Sequence, residues 1–420
     1  MIETRPIALC LLTLLLALAA PTGASAANWE MIQGTEEGRP DKPLQPFGFL
    51  QVLAEGVIAG PVEGLESDAL DGYNGELAAF NILSRGDAPW RISVRRARLG
   101  VRGSIPKTDQ TVNYFFAAEL GTNGATIGQP IALMDASLTF NAPFLRVRAG
   151  QFKLPAMDET LEAVHVAGDR ANYSIVARQL VLERSIQNGR FQGAVNGFRD
   201  VGIQLFDAYK FGDIELSWAA MGASGRPGPF EFDRSLDGIG RLQVSWLLGD
   251  RRQFHPKRDE LSGFVWGQAG SREVDGEEIP RLRVGGGTQL RTNGWRARLE
   301  AVWADGVLPA GTTPPFAGNP IPVLADATAV GGTTLLGYRP TDAIEFDLFF
   351  DVLHRRPEDP AGERLFADTT LGVQWFISSH AKLMANAALR HIGAPNASTD
   401  VQRIISSIGP RFSLQATGHF

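Results

Sequence analysis

Arginine is the residue type with the clearest chemistry in this sequence. In the stretch Arg91–Gly103, the side chains from Arg96 on split by parity: Arg96, Arg98 and Arg102 lie on one parity, and Ala97, Leu99 and Val101 lie on the other. Successive residues of a β-strand point to opposite faces, so these arginines share one face. A guanidinium group stays charged and presents a planar set of N–H donors to oxyanions. Ten arginines fall on the polar face of predicted strands: Arg96, Arg98, Arg102, Arg146, Arg148, Arg241, Arg281, Arg283, Arg296 and Arg298.

The same two-sided alternation recurs along most of the chain and indicates which elements position these arginines. About sixteen stretches alternate in this way, and long connectors take turns with short ones. No stretch after residue 26 has 18 consecutive apolar residues, which argues against membrane-spanning helices. The sequence therefore predicts an all-β fold, a transmembrane antiparallel β-barrel of about 16 strands over residues 47–420. An arginine that faces lipid near the midplane costs about 2–4 kcal/mol, so the arginine face must line the lumen.

Three local features refine this barrel. The stretch 272–279 is predicted as one of the long connectors, and the charged connector 249–260 is too long for a tight turn. Three consecutive glycines at 285–287 indicate a β-bulge or a place of close packing.

The N-terminus predicts export. Residues 1–26 have a short basic start, an apolar core from Ile7 to Ala20 and a small-residue site at Ala24–Ala26, which is the pattern of a cleaved signal peptide. The apolar core is shorter than the ~20 residues that a spanning helix needs. Cys10, the only cysteine, lies in this segment. Residues 27–46 are polar and are interpreted as a periplasmic lead-in.

Residues 153–199 interrupt the alternation between the fifth and sixth strands. They contain a helix-like piece at 158–166 and a second apolar stretch at 175–182. Loops of this length are usually functional or disordered, and the apolar pieces favour a third loop that folds into the barrel and narrows it. The residues then expected near the narrowest point are Asp158, Glu159, Glu162, Arg170, Arg178, Glu183 and Arg184.

The polar face allows two interpretations. A strip of arginines would draw anions through a pore, because rings of charge set channel selectivity. Alternatively, any wet lumen needs charged walls, and carboxylates on the same face would neutralise some of the arginines. These carboxylates are Glu119, Asp135, Glu215, Glu300, Glu345, Asp347 and Asp351.

Signals for catalysis, metals and cofactors are weak. The six histidines are scattered, and no nucleophile, metalloprotease, phosphate-binding or haem-attachment motif is present. Glu159, Glu162 and His165 would share a helical face as metal ligands, although ordinary polarity explains them better. Asp68–Gly75 fits either a calcium loop or, better, a plain turn. The net charge of −6 does not favour nucleic acid. We therefore predict no enzyme, no cofactor, no metal and no nucleic-acid partner.

Several motifs resemble the phosphate-selective porin O/P family of Gram-negative outer-membrane porins. They are Arg95–Gly103, Asp135–Leu138, Arg146–Pro155, Glu183-Arg184 and Arg199–Gln204, in the expected order. The resemblance is specific over about 90–205 and looser up to Phe420. It implies a sixteen-stranded barrel, commonly trimeric, with inward loops and an arginine ladder. The acids at 345–351 and Gly418, where an aromatic residue often lies, depart from the family pattern.

The sequence as a whole predicts an outer-membrane porin that passively admits small hydrophilic solutes and ions, with a weak preference for anions. Its expected partners are those solutes, outer-membrane lipid and lipopolysaccharide, the barrel-assembly machinery and two further copies in a homotrimer. One alternative is a channel with a phosphate or oxyanion binding site. Another is a non-conducting barrel that has a structural role or sheathes a partner protein.

Overall fold

The structure is a computed structural model, and it describes residues 43–82, 90–108, 111–123, 126, 130–165, 168–192, 197–225, 236–248 and 258–420. The predicted signal peptide and most of the predicted lead-in lie outside these residues. The first strand begins at Gln45, two residues before the boundary expected from the sequence.

Sixteen antiparallel strands form a closed barrel, as predicted. Each strand pairs with the next one along the chain, and the last pairs with the first to complete the ring. The strands are β1 (Gln45–Val57), β2 (Arg91–Ser104), β3 (Val112–Glu119), β4 (Ala132–Ala142), β5 (Leu145–Lys153), β6 (Arg199–Phe211), β7 (Ile214–Ala223), β8 (Asp237–Leu247), β9 (Glu260–Val274), β10 (Glu277–Thr292), β11 (Trp295–Asp305), β12 (Thr328–Thr341), β13 (Ile344–Arg355), β14 (Arg364–Ser378), β15 (Ala381–Gly393) and β16 (Arg411–His419).

The two faces of the wall differ in chemistry as the alternation predicts. Outward side chains are large, apolar and exposed: Leu299 is 53% exposed and Leu414 is 54% exposed. Inward side chains are polar and buried, and Gln51 and Glu119 are 0% exposed. An apolar outer surface around a polar interior is the pattern of a barrel that faces lipid.

A β-bulge in β2 changes the parity of the arginine strand. Arg96 pairs with Gln51 while Val94 pairs with the next residue of β1, so Arg95 has no opposite residue. Two residues then oppose one, which bends the strand and lets neighbouring side chains share a face. Arg95 donates from Nη1 to Asn172 Oδ1 at 2.7 Å, inside the barrel. The sequence pattern was followed only from Arg96 on, so it did not identify Arg95 as an inward-facing arginine.

The connectors sort by length to the two ends of the barrel, with one difference from the prediction. The long ones are 58–90, 120–131, 154–198, 224–236, 306–327, 356–363 and 394–410, and the end where they meet is called the long-connector end here. The prediction of a long connector at 272–279 was wrong, because β9 and β10 continue into the two-residue turn Asp275-Gly276. Both turn residues have positive φ, 52° and 86°. Asp-Gly supports this turn with little strain, so no longer loop is needed. Connector 249–260 lies mostly outside the described residues.

The long connectors contain short helices and strands of their own. Helix α1 (Asp158–Leu161) is a single turn, shorter than the predicted piece at 158–166, and helix α2 (Thr399–Ser406) follows β15. A small four-stranded sheet joins two loops through residues 308–309, 321–324, 190–191 and 186–187. Among the described residues, no helix is long and apolar enough to cross a membrane.

Candidate functional site

Residues 154–198, called the inner segment here, run between β5 and β6 and lie against the inner face of the barrel. Lys153 and Arg199 at its two ends pair with each other across these strands. Apolar side chains of the segment pack with inward-facing apolar residues of six strands. The buried members are Ala156, Met157, Ile175, Val176, Ala177, Leu180, Val181 and Phe198 from the segment and its exit, with Phe264, Trp266, Val302, Ala304, Ala329, Leu353, Phe366 and Ile392 from the wall. An apolar cluster therefore occupies part of the interior.

The glycines of β10 make room for this cluster. A Cβ atom on Gly285 would lie 2.6 Å from the ring of Trp266, and one on Gly287 would lie 2.8 Å from the ring of Phe264. The pairing of β9 with β10 continues through these residues without a shift in register. Of the two predictions for residues 285–287, close packing is confirmed and a bulge is not observed.

Carboxylates of the inner segment form ion pairs with arginines of the wall. Asp158 pairs with Arg241, and Glu162 pairs with Arg298. Another acid of the segment, Glu183, lies 2.8 Å from Arg281 Nη1. Acids that were predicted to lie at the constriction thus contact arginines that were predicted to line the lumen. Each pair is buried, so the paired arginines serve as attachment points for the segment.

Arg170 forms the most connected of these attachments. Its Nε lies 2.9 Å from Glu159 Oε1, and its Nη1 lies 2.8 Å from Asp351 Oδ2. Its Nη2 donates to Thr333 Oγ1 at 3.1 Å, and its guanidinium carbon lies 4.7 Å from the centre of the Phe349 ring. Burial would lower the pKa of Arg170, but the carboxylates of Asp351 and Glu159 raise it above its usual value. The group therefore remains cationic.

A second cluster of charges lies around Asp169. Arg296 binds Asp169 together with Glu345 and Asp347 of β13, and Arg298 Nη2 lies 3.7 Å from Asp169 Oδ2. Burial would raise the pKa of Asp169, but the two arginines lower it below its usual value. The acids at 345–351, which were expected to neutralise some of the arginines, thus contact specific ones: Glu345 and Asp347 contact Arg296, and Asp351 contacts Arg170.

Other wall residues hold the backbone of the segment, and sequence reasoning assigned none of these contacts. Lys153 Nζ donates to Leu161 O at 3.1 Å and to Glu162 O at 2.7 Å, and Lys382 Nζ donates to Gly168 O at 2.6 Å. The inward parity of both lysines was readable from the sequence, but their acceptors were not. Arg283 likewise donates to backbone carbonyls, including Leu180 O at 3.1 Å and Val307 O at 2.8 Å.

The remaining predicted arginines lie towards β1–β6. Arg98 pairs with Glu119 at 2.7 Å, and Arg146 lies 3.2 Å from Asp207. Arg96 donates to Gln51 Oε1 at 2.7 Å, and its guanidinium carbon lies 5.5 Å from the centre of the Tyr173 ring.

Four further predicted arginines complete the set, and one of them, Arg184, lies on the inner segment next to Glu183. Arg148 donates from Nε to Ser137 Oγ at 2.9 Å, while its buried Nη2 has no hydrogen-bond partner among the residues that the structure describes. Arg102 lies in β2 opposite Phe115 of β3. Arg178 lies in one turn of π-helix, Ala177–Val181, on the inner segment.

The alternative metal sites do not assemble. Glu159 binds Arg170, Glu162 binds Arg298, and His165 stacks on Phe49 with ring centres 4.6 Å apart. Burial lowers the pKa of His165 to about 3, so this ring is neutral at ordinary pH. Residues 68–75 form a turn, and the described part of the chain contains no group of three or more metal-binding side chains.

Comparisons with known proteins support the fold. No protein-family model matches the sequence, and no curated protein matches it. The structure is similar to an anion-selective porin from Comamonas acidovorans, with TM-score 0.57, 12% identity, and 90% of this chain and 99% of that chain covered. It is similar to the outer membrane channel DcaP of Acinetobacter baumannii, with TM-score 0.53, 14% identity, and 90% and 97% covered. It is also similar to a trimer form of OmpT, an outer membrane protein of Vibrio cholerae, with TM-score 0.50, 10% identity, and 90% and 99% covered.

The chain therefore has the fold of sixteen-stranded outer-membrane porins. Membership of the phosphate-selective porin O/P family remains a prediction from the sequence motifs.

Proposed function

We propose that this protein is an outer-membrane porin through which small hydrophilic solutes and ions diffuse passively. The observation that carries the proposal is a closed barrel whose outward side chains are apolar and exposed while its inward side chains are polar. A barrel of this kind satisfies every backbone polar group in lipid and still offers solutes a polar lining. The similar structures are an anion-selective porin and an outer membrane channel, which supports a pore in preference to an enzyme.

The inner segment supplies the constriction in this proposal. Its ion pairs with Arg241, Arg298 and Arg281 tie it to the wall at three places. Salt bridges of this kind hold a loop across a lumen at a defined position, since breaking a buried pair costs about 3–5 kcal/mol. The free area beside the segment then sets the size of solute that passes.

A weak preference for anions follows from the arginines whose partners are uncharged. Arg96 binds an amide, Arg148 binds a hydroxyl, and Arg283 binds backbone carbonyls. Their charges remain uncompensated by direct contact, whereas Arg98, Arg241 and Arg298 are neutralised. Because ion pairs neutralise several arginines, fewer uncompensated charges remain than the sequence alone suggested. We therefore expect the preference for anions to be modest.

The proposed setting is the outer membrane, which the chain reaches by export with a cleaved N-terminal signal peptide, followed by insertion with the help of the barrel-assembly machinery. Contacts with lipid and lipopolysaccharide follow from the apolar wall. A homotrimer is also proposed, because one structurally similar outer membrane protein is described in a trimer form.

A second candidate, a non-conducting barrel that sheathes a partner or has a structural role, is favoured by the apolar cluster. A cluster that includes Val176, Leu353 and Phe366 fills part of the interior with closely packed side chains. A water-filled passage does not need such a cluster.

Single-channel recording in a planar bilayer under a KCl gradient separates these functions. We expect discrete conductance steps and a reversal potential whose sign shows that chloride passes more readily than potassium. A cation-selective reversal potential would contradict the proposed preference, and the absence of any steps from correctly folded protein would favour the sheath. Block by micromolar phosphate would favour a channel with an oxyanion binding site.

A further inference from the structure

Three histidine rings meet at the end of the barrel opposite the long-connector end. His165 belongs to residues 161–171 of the inner segment, called the tip here, while His419 ends β16 and His380 lies in the turn between β14 and β15. The ring centres of His165 and His419 are 5.4 Å apart, and those of His419 and His380 are 5.3 Å apart. His165 also stacks on Phe49 of β1, which pairs with His419 in the sheet. The inner segment therefore reaches this end of the barrel through an imidazole ring.

Hydrogen bonds on both sides of His165 hold the tip against the wall. Gln51 Nε2 of β1 donates to Val164 O at 3.2 Å. Further along the chain, Lys382 Nζ of β15 donates to Gly168 O at 2.6 Å. Because the ring lies between these two contacts, it leaves Phe49 when the tip leaves the wall.

The charged groups that face His165 are cations. They are Arg98 of β2, Lys153 of β5 and Lys382 of β15, and the imidazole of His419 faces it from β16. Arg98 is paired with Glu119 at 2.7 Å, whereas the two lysines donate to backbone carbonyl oxygens of the tip. Among the residues that the structure describes, no carboxylate pairs with any of the three histidines. A proton on His165 would therefore meet like charges and gain no acceptor.

This environment links protonation of His165 to release of the tip. Burial, together with His419 and the three cations, lowers the pKa of His165 to about 3. A histidine in water has a pKa of about 6.5, so the released ring binds a proton more readily than the docked ring. Below about pH 6.5 the equilibrium therefore shifts towards release, by about tenfold for each pH unit and about thirtyfold at pH 5. Part of the docked ring is exposed to solvent, which moderates the shift, so we expect at least about tenfold.

We propose that the tip of the inner segment responds to acid, with His165 as the proton acceptor that loosens its docking on β1 and β16. The buried pair between Glu162 and Arg298 stays in place, so acid makes opening of the tip more frequent without releasing the whole segment. A regulatory role for this response rests on the proposed function, because a looser tip changes the free area beside the segment. The response adds a proton-sensing contact to a pore that is otherwise passive.

Hydrogen exchange of the full-length protein in lipid nanodiscs, at about pH 7.5 and about pH 5, tests this response. After correction for the pH dependence of chemical exchange, the protection of residues 168–171 should fall at least about tenfold in the unchanged protein. His165→Phe keeps a ring that can stack on Phe49 but cannot bind a proton, so its protection should change little. The difference between the two proteins is the measured quantity, because other groups of the chain also bind protons as the pH falls.

His391→Phe is the matched control. His391 is exposed on the outer face of β15, so this variant should keep the full acid response. Circular dichroism and heat-modifiable migration in gels verify that each variant is folded. If His165→Phe does not fold, His165→Gln, which is neutral at every pH, takes its place.

An equal loss of protection in the unchanged protein and in folded His165→Phe would overturn the proposal, as would unchanged protection at about pH 5. Bilayer recording of the same preparations keeps the two proposals apart. Conductance combined with equal exchange in both proteins rejects the acid response alone. An acid response that depends on His165, without any conductance, rejects the porin function alone.

Discussion

Replacing Arg170 with methionine should loosen the inner segment without releasing it. Methionine keeps most of the aliphatic contact with Phe349 but removes the ion pairs with Glu159 and Asp351. Removing one partner of a buried pair costs about 3–5 kcal/mol, because the other charges stay buried and unpaired. The unpaired carboxylates of Glu159 and Asp351 therefore account for most of the loss of stability.

The apolar contacts of the segment oppose this loss. Met157, Ile175, Val176, Leu180 and Val181 are all at most 3% exposed. Full burial of such a side chain contributes about 1.5–3 kcal/mol, so the five together contribute about 10 kcal/mol before the entropic cost of ordering the segment. The substitution should thus increase local opening about a hundredfold or more while the segment stays mostly docked, since about 1.4 kcal/mol corresponds to a factor of ten.

Hydrogen exchange in lipid nanodiscs, followed by mass spectrometry, measures this opening. The amides of Ala171 and Ser174 are the reporters, because they donate to Asn386 Oδ1 and to Glu159 Oε1, each at 2.8 Å. Arg403→Met is the matched control: its ion pair with Glu66 is exposed, and exposed pairs contribute about 0–1 kcal/mol. Acceleration below tenfold at residues 171–174 in Arg170→Met, or equal acceleration in the control, would refute the reasoning.

Three further predictions concern selectivity, packing and pH. Arg96→Glu should move the reversal potential in a KCl gradient towards cations, and an unchanged potential would show that this side chain is remote from the ion path. Gly285→Ala should lower the free energy of unfolding, measured by urea denaturation, by about 1–3 kcal/mol, because its Cβ atom would lie 2.6 Å from a tryptophan ring. Gly263→Ala is the control and should change this free energy little, because the atom nearest to its Cβ would be 3.9 Å away. The lowered pKa of Asp169 means that its contribution to stability is present above the pKa of an unfolded aspartate, about 3.9, and is lost as pH falls through the lower folded value. Asp169→Asn should therefore lower the free energy of unfolding at pH 7 and have little effect once the pH lies below the folded pKa of this carboxyl, which urea denaturation of both proteins at a series of pH values measures; an equal effect at every pH would contradict this assignment.

The position of the apolar cluster bears on the proposed porin function. It lies at the long-connector end, on the side formed by β9 and β11–β15, and it joins the inner segment to the wall. Two of the arginines with uncharged partners, Arg96 and Arg148, lie on the opposite side, in β2 and β5, whereas the third, Arg283, lies in β10 and binds Leu180 O of the cluster. For the porin function proposed above, this arrangement places the expected solute path along the β1–β6 side of the interior, because the apolar cluster occupies the other side.

The class of fold and the inward face of each strand follow from the local pattern of residues. Alternation is a local property of the sequence. An arginine that faces lipid in the middle of a membrane strand is very unfavourable, so the set of alternate residues that contains the arginines must point inward. Arg98, Arg241 and Arg298 were therefore placed on the inner wall from their positions in the chain alone. Close packing at residues 285–287 was also readable, because consecutive glycines in a strand leave room for a neighbour.

The contacts of these side chains depend on how distant parts of the chain come together. Asp158 and Arg241 are 83 positions apart, and Glu162 and Arg298 are 136 apart, so no local pattern relates them. The bulge that turns Arg95 inward depends on how β1 pairs with β2, and the two-residue turn at Asp275 depends on continued pairing of β9 with β10. Strand parity is set by the geometry of each residue, whereas ion pairs, registers and the packed interior require the ring to close first.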